Sequence, residues 1–329
     1  MRPALVSLLC LTPALILAGL GCSPADPPPG PPDRVGLRIG VTVPPQAYLV
    51  ERLGGERVAT EVLMPSGSSE ETFSPSPRQM VALARADLYF LVGHPAFLVE
   101  TRHVAPALAR NPAVRVVSMT GRGEALEPPR ADHDPHDPRA AAESERAGPG
   151  GPAKEAVEYG HAHGGGAGDP HLWTAPGNMR RAAVEVAAAL AELDPAGAPA
   201  YRSRLATFLA DLDALDAEVR RELSDLPRRR FLVTHPAWGH FAAEYGLEQV
   251  AIEQEGKEPG PRRLVALVEA ARTEGIRTVF SQRGFPEASA RAVAAELGAE
   301  VIPLDPLARD WLENTRKTAQ ALATALKQP

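Results

Sequence analysis

The chain alternates twice between β-branched, strand-like segments and amphipathic helical ones, and this alternation limits its possible folds more than any other feature. In the first half, "VGLRIGVTV" reads as a strand and "PPQAYLVERLGG" as a helix closed by glycines. "VATEVLMP" is a second strand and "SPRQMVALARA" a helix with Met80, Leu83 and Ala84 on one face. "DLYFLVG", "AFLVETRHVAPALAR" and "VRVVSM" continue as strand, helix and strand. The pattern returns after residue 227 with "RRFLVTH", "WGHFAAEYG", "LEQVAIE", "PRRLVALVEAARTEG", "RTVFSQ", "EASARAVAAELG" and "EVIPLD", then a last helix from about Trp311. Strands that alternate with helices pair in parallel through crossover connections. The expected fold is α/β: an N-terminal lobe at 36–195, a linking helix at 196–226 and a C-terminal lobe at 227–329. Within the linker, Leu205, Phe208, Leu209, Leu212 and Leu215 fall at helical spacing.

Two segments break the alternation. Residues 121–168 are rich in Gly, Pro, Ala and charge, with no apolar period, and read as a disordered His-rich loop. They hold His133, His136, His161 and His163, four of the nine histidines in the chain. These are expected to act as auxiliary metal ligands, because no core is available for them to join. The second segment is N-terminal. Residues 1–21 carry an early positive charge and an apolar run too short and too interrupted for a membrane span, as in an export signal. The run ends at Cys22, which resembles the lipidated cysteine of a bacterial lipoprotein; a plain secretory signal is the alternative. Of the two cysteines, Cys10 lies inside the signal, so Cys22 has no partner for a disulfide. Residues 22–35 are Pro-rich and read as an extended tether. The protein is expected to be exported, periplasmic or at the cell surface, and held to the membrane by its lipid. Nothing in a net charge of −6 suggests a nucleic-acid binder, which would show a basic face.

Polar residues recur just after the expected strands. Glu70 and Glu71 follow the second strand, His171 lies in "DPHLW", His235 directly follows "FLVT", and Asp305 directly follows "EVIPL". Ligands of open α/β sheets bind outside the carboxyl ends of strands, so residues from both lobes can meet in one cleft. Imidazole with carboxylate suits a borderline divalent ion such as zinc. Singly, each residue has a plainer use: Glu71 as a solvated loop charge, His171 packed beside Trp173, His235 as a strand end, Asp305 as a turn cap.

The stretches "PPQAYLVERLGG", "FSPSPRQM", "DPHLW", "THPAWGHFAAEYGL", "EGKEPGPRRL" and "VIPLDPLA" together resemble the cluster A-I substrate-binding proteins of bacterial ABC transporters, the zinc- and manganese-binding type. The resemblance runs from residue 36 to 329. It implies two pseudo-symmetric lobes joined by one long rigid helix, with a metal bound between them. It implies His171, His235 and Asp305 as the second, third and fourth ligands, and a His-rich loop before the second. Where the family has its first His, this chain has Glu71, with Glu70 one residue away as the alternative. The implied function is capture of Zn2+, with Mn2+ as the alternative, and delivery to an ABC permease by a monomer. A metal-binding surface adhesin without a transporter is the other reading. An enzyme is not expected: four protein ligands would leave no open position, and the chain has no H-E-x-x-H or G-x-S-x-G motif.

Overall fold

A computed structural model of the chain describes residues 36–121, 168–253, 259–285 and 287–328. The expected signal, the tether with Cys22, and the four loop histidines lie outside those residues. The described chain forms two four-stranded parallel sheets. The first has the order β2-β1-β3-β4, from β1 (Leu37–Val41), β2 (Val58–Val62), β3 (Leu88–Leu91) and β4 (Arg115–Ser118). The second repeats that order as β6-β5-β7-β8, from β5 (Arg230–Val233), β6 (Glu248–Ala251), β7 (Thr278–Gln282) and β8 (Glu300–Leu304). In each sheet the order reverses beside the first strand, which opens a crevice at the strands' carboxyl ends.

Helices cover the sheets as the pattern requires. α1 (Pro44–Gly54) begins on two prolines and buries Ala47, Leu49, Val50 and Leu53. α2 (Pro77–Ala84) is capped by Ser76, whose Oγ accepts from Gln79 N while the Gln79 side chain accepts from Ser76 N. Leu83 is its buried contact; Ala84, expected on the same face, is exposed. The expected helix "AFLVETRHVAPALAR" is not regular. Residues Glu100–Val104 form a π-helical turn before α3 (Ala105–Ala109). Glu100 opens that turn, and its buried carboxylate accepts from the Val92 and Gly93 amides at 2.7 and 2.8 Å and from the Thr42 hydroxyl. The turn is thus pinned to the ends of β1 and β3.

α4 (Pro176–Leu193) leads into α5 (Ala198–Glu222), which spans 25 residues or about 38 Å. Tyr201, Phe208, Leu212, Leu215 and Val219 make its buried stripe. α5 packs on α1 and α4, and also on α9 (Trp311–Lys327) of the C-terminal half. The remaining helices, α6 (Gly239–Glu244), α7 (Pro261–Thr273) and α8 (Ala288–Leu297), cover the second sheet. The larger apolar core runs from Ile39 and Phe90 of the first sheet, through Trp173 and Phe208, to Phe231 and Phe280 of the second and Trp311 of α9; a smaller one, with Leu232, Val279 and Val293, lies wholly in the C-terminal lobe. Trp173 marks the junction of the lobes. Its Nε1–H donates to Pro306 O at 2.8 Å, and its own carbonyl accepts from Trp311 Nε1 at 2.7 Å.

Candidate metal site

Three ligand-type side chains converge at the junction of the lobes. Glu70 arrives on the loop after β2, His171 on the loop before α4, and His235 at the end of β5. One donor atom from each lies within 4.8 Å of the others, and all three residues are buried. Glu70 Oε1 is 2.5 Å from His171 Nε2 and 2.9 Å from His235 Nε2, and the two nitrogens are 3.4 Å apart. Two nitrogens bound to one tetrahedral ion at about 2.0–2.1 Å would lie about 3.3–3.4 Å apart, so the imidazoles already hold a metal-binding separation. Only the carboxylate must retreat, by roughly half an ångström or more, to admit an ion at ordinary bond lengths.

A carboxylate fixes the His171 ring from behind, and another stands behind His235. Asp169 Oδ1 accepts from His171 Nδ1 at 2.7 Å and from the His171 backbone N–H at 2.9 Å. That contact leaves Nε2 turned toward Glu70, the arrangement usual behind metal-bound histidines. His240 Nε2–H in turn donates to Asp169 O at 2.9 Å. Behind His235, the buried Glu253 approaches Nδ1 to 3.7 Å, longer than a hydrogen bond. Phe285 stacks on the His235 ring at 4.5 Å between centroids.

The electrostatics follow from burial and these contacts. Burial alone would depress His171, but the Asp169 and Glu70 carboxylates outweigh it and lift its pKa to about 10. His235 is raised for the same reason, against burial, by Glu253 and Glu70. Burial would raise Glu70 and Asp169, yet hydrogen bonds from the histidines hold both below the usual carboxylate range. Without a metal, a proton on Nε2 therefore occupies the position a cation would take. Among the described residues, Glu70 Oε2, Asp169 Oδ2 and His235 Nδ1 are buried without a hydrogen-bond partner. Unused polar atoms beside two imidazoles fit a site built for a cation.

The sequence-expected ligands are divided by this geometry. His171 and His235 are brought together; Glu71 and Asp305 are not part of the converging group. Glu70 takes the place expected for Glu71 because the turn aims it inward. Glu71 is partly exposed on the wall of a cleft of about 530 Å3 that Glu70, His171 and His235 also line, 3.9 Å from His235 Nδ1, and burial raises its pKa. Asp305 caps its own turn, with Oδ1 accepting from Leu307 N at 3.0 Å and Oδ2 3.9 Å from Arg283. Sequence reasoning missed Asp169 and Glu253. Glu253 also follows a strand, β6, so the strand-end rule that picked out His235 covers it as well. Asp169 stands two residues before His171 in the quoted "DPHLW".

Two parallel-sheet lobes with a buried His–His–carboxylate cluster at their junction define a solute-binding protein of the metal-ion kind. The chain belongs to the ZnuA family, described as zinc-uptake complex component A, periplasmic, which it matches over residues 39–325. Among solved structures it is similar to a ZnuA deletion mutant with zinc bound: 33% identity, TM-score 0.71, 89% of this chain and all of that one. It is 28% identical over 269 residues to a putative metal-binding protein of Treponema pallidum, covering 80% of this chain and 78% of that protein. It is 23% identical over 286 residues to the zinc-binding lipoprotein AdcA of Streptococcus pneumoniae, covering 85% of this chain. The chain spans only about half the length of that protein, 52%.

Proposed function

We propose that this protein captures Zn2+ outside the cytoplasm and delivers it to the permease of an ABC importer. The observation that carries the reading is the 3.4 Å separation of the His171 and His235 Nε2 atoms, with Glu70 between them. In this reading Glu70, His171 and His235 are three of the ligands. Asp305, the fourth ligand implied by the resemblance, joins them by giving up its loose approach to Arg283. Two imidazoles with two carboxylates make a harder donor set than three imidazoles with one, so selectivity against Mn2+ is reduced. The metal is cargo, and four protein ligands leave no open position for catalysis. Cys22 anchors the protein by its lipid, and it works as a monomer.

The reading is tested on purified protein comprising residues 36–329. Metal analysis after zinc loading should give a tight site, and an anomalous map at the zinc edge should place the ion against Glu70, His171 and His235. An ion bound elsewhere, or no retained zinc, rejects it.

A further inference from the structure

The loops that carry the two sides of the site meet across the lobes as bare backbone. Gly67 lies three residues before Glu70. Gly284 lies one residue before Phe285, the ring stacked on His235. Both adopt positive φ, +80° at Gly67 and +93° at Gly284. A Cβ at Gly284 would stand 2.2 Å from Gly67 O and 2.7 Å from its carbonyl carbon. Real side chains do not approach backbone that closely, so any residue but glycine must push the two loops apart. A Cβ at Gly67, by contrast, would meet nothing within 4 Å. Beside this contact, Ser66 Oγ donates to Leu307 O at 2.9 Å, a second tie between the same loop and the C-terminal lobe.

We propose that the Gly67–Gly284 backbone contact is the closure that retains the bound metal, with Gly284 as the positioning residue that permits it. The inference builds on the capture reading above. The site draws Glu70 from one lobe and His235 from the other, so a bound ion leaves when these loops part. The contact sets how closely they approach. A methyl group at 284 holds the loop of Glu70 away from the stacked pair of Phe285 and His235, while every ligand remains in the sequence.

The test compares wild type with Gly284→Ala, Gly67→Ala and Ser66→Ala. Zinc release is followed by stopped flow into excess chelator. Loss of a closing contact appears in the dissociation rate more than the association rate. Gly284→Ala should release zinc faster by about tenfold or more, and Ser66→Ala by roughly two- to fivefold. Gly67→Ala carries a comparable positive-φ strain without the clash and should stay near wild type. Hydrogen exchange of residues 65–71 and 283–285 in the metal-free proteins should rise in Gly284→Ala and Ser66→Ala. That arm needs no metal, so it judges the contact whether or not zinc is the cargo. Ser66→Ala, a mild surface change, serves if Gly284→Ala folds poorly. Equal release and exchange in wild type and the variants would overturn the proposal. So would Gly67→Ala matching Gly284→Ala, because strain and not contact would then be the cause.

Discussion

At the residue scale, the adjacent carboxylates of Glu70 and Glu71 do different work. Glu70 is buried against both imidazoles, while Glu71 is partly exposed on the cleft wall. Glu70→Ala should weaken zinc binding strongly, whereas Glu71→Ala should alter it little; competition titration with a chromophoric chelator measures both. Asp169→Ala removes the acceptor that turns His171 and should cost about 10- to 100-fold in affinity with the fold intact, by the same titration; Asp169→Asn keeps an acceptor oxygen without the charge and should cost less. The pKa shifts also set a pH dependence. His171 is raised from 6.5 to about 10, so its contribution to metal-free stability is complete below pH 6.5 and is lost as pH rises toward 10. Glu70 and Asp169 are lowered, so theirs is present above their ordinary values and is lost in acid. Metal-free protein should be most stable near about pH 5–6.5. Zinc displaces the His171 Nε2 proton, so its binding should tighten across the window where metal-free stability falls. Thermal melts at pH 6 and pH 9, with and without buffered zinc, should therefore show a larger zinc-induced shift at pH 9.

At the element scale, the π-helical turn Glu100–Val104 is tied to the first sheet through one side chain. Glu100 supplies acceptors to the Val92 and Gly93 amides and to Thr42, all at the carboxyl ends of the first lobe's central strands. Burial lifts its pKa to about 7, against those hydrogen bonds. Glu100→Ala would strand three buried donors and should destabilise the protein by about 3 kcal/mol or more. Glu100→Gln keeps one acceptor oxygen but turns an NH2 donor toward a backbone amide that Glu100 now satisfies, so it should cost less than Glu100→Ala but still about 1–3 kcal/mol. Urea unfolding of the two variants separates these outcomes. The residues just before the turn, Ala96, Phe97 and Leu98, line the cleft, so the turn fixes one of its walls.

At the scale of the whole molecule, the larger apolar core runs through both lobes, with a smaller cluster inside the C-terminal one, and α5 packs against helices of both. The protein should therefore unfold in one cooperative transition, seen as coincident near- and far-ultraviolet circular dichroism melts, and two separated transitions would contradict a shared core. The sequence alone determined the elements and their class, because helical and strand periodicity and the Ser76 cap act over a few residues. It also marked His235, because a polar group directly after a buried strand lies at the sheet end where ligands bind, and it marked His171 through the "DPHLW" stretch of the family resemblance. It did not decide between Glu70 and Glu71, whose side chains diverge only once the loop is closed against the other lobe. Nor did it reveal Asp169 behind His171, the π turn at Glu100, or the approach of Gly67 to Gly284. The π turn and the Gly67–Gly284 approach depend on groups that only the folded chain brings together, the glycines more than 200 residues apart, where no local periodicity carries a signal; Asp169 is only two residues from His171, but its hydrogen bond to the ring appears only in the folded geometry. Tertiary structure settles them because a buried carboxylate must find donors and a bare backbone contact has room for no side chain.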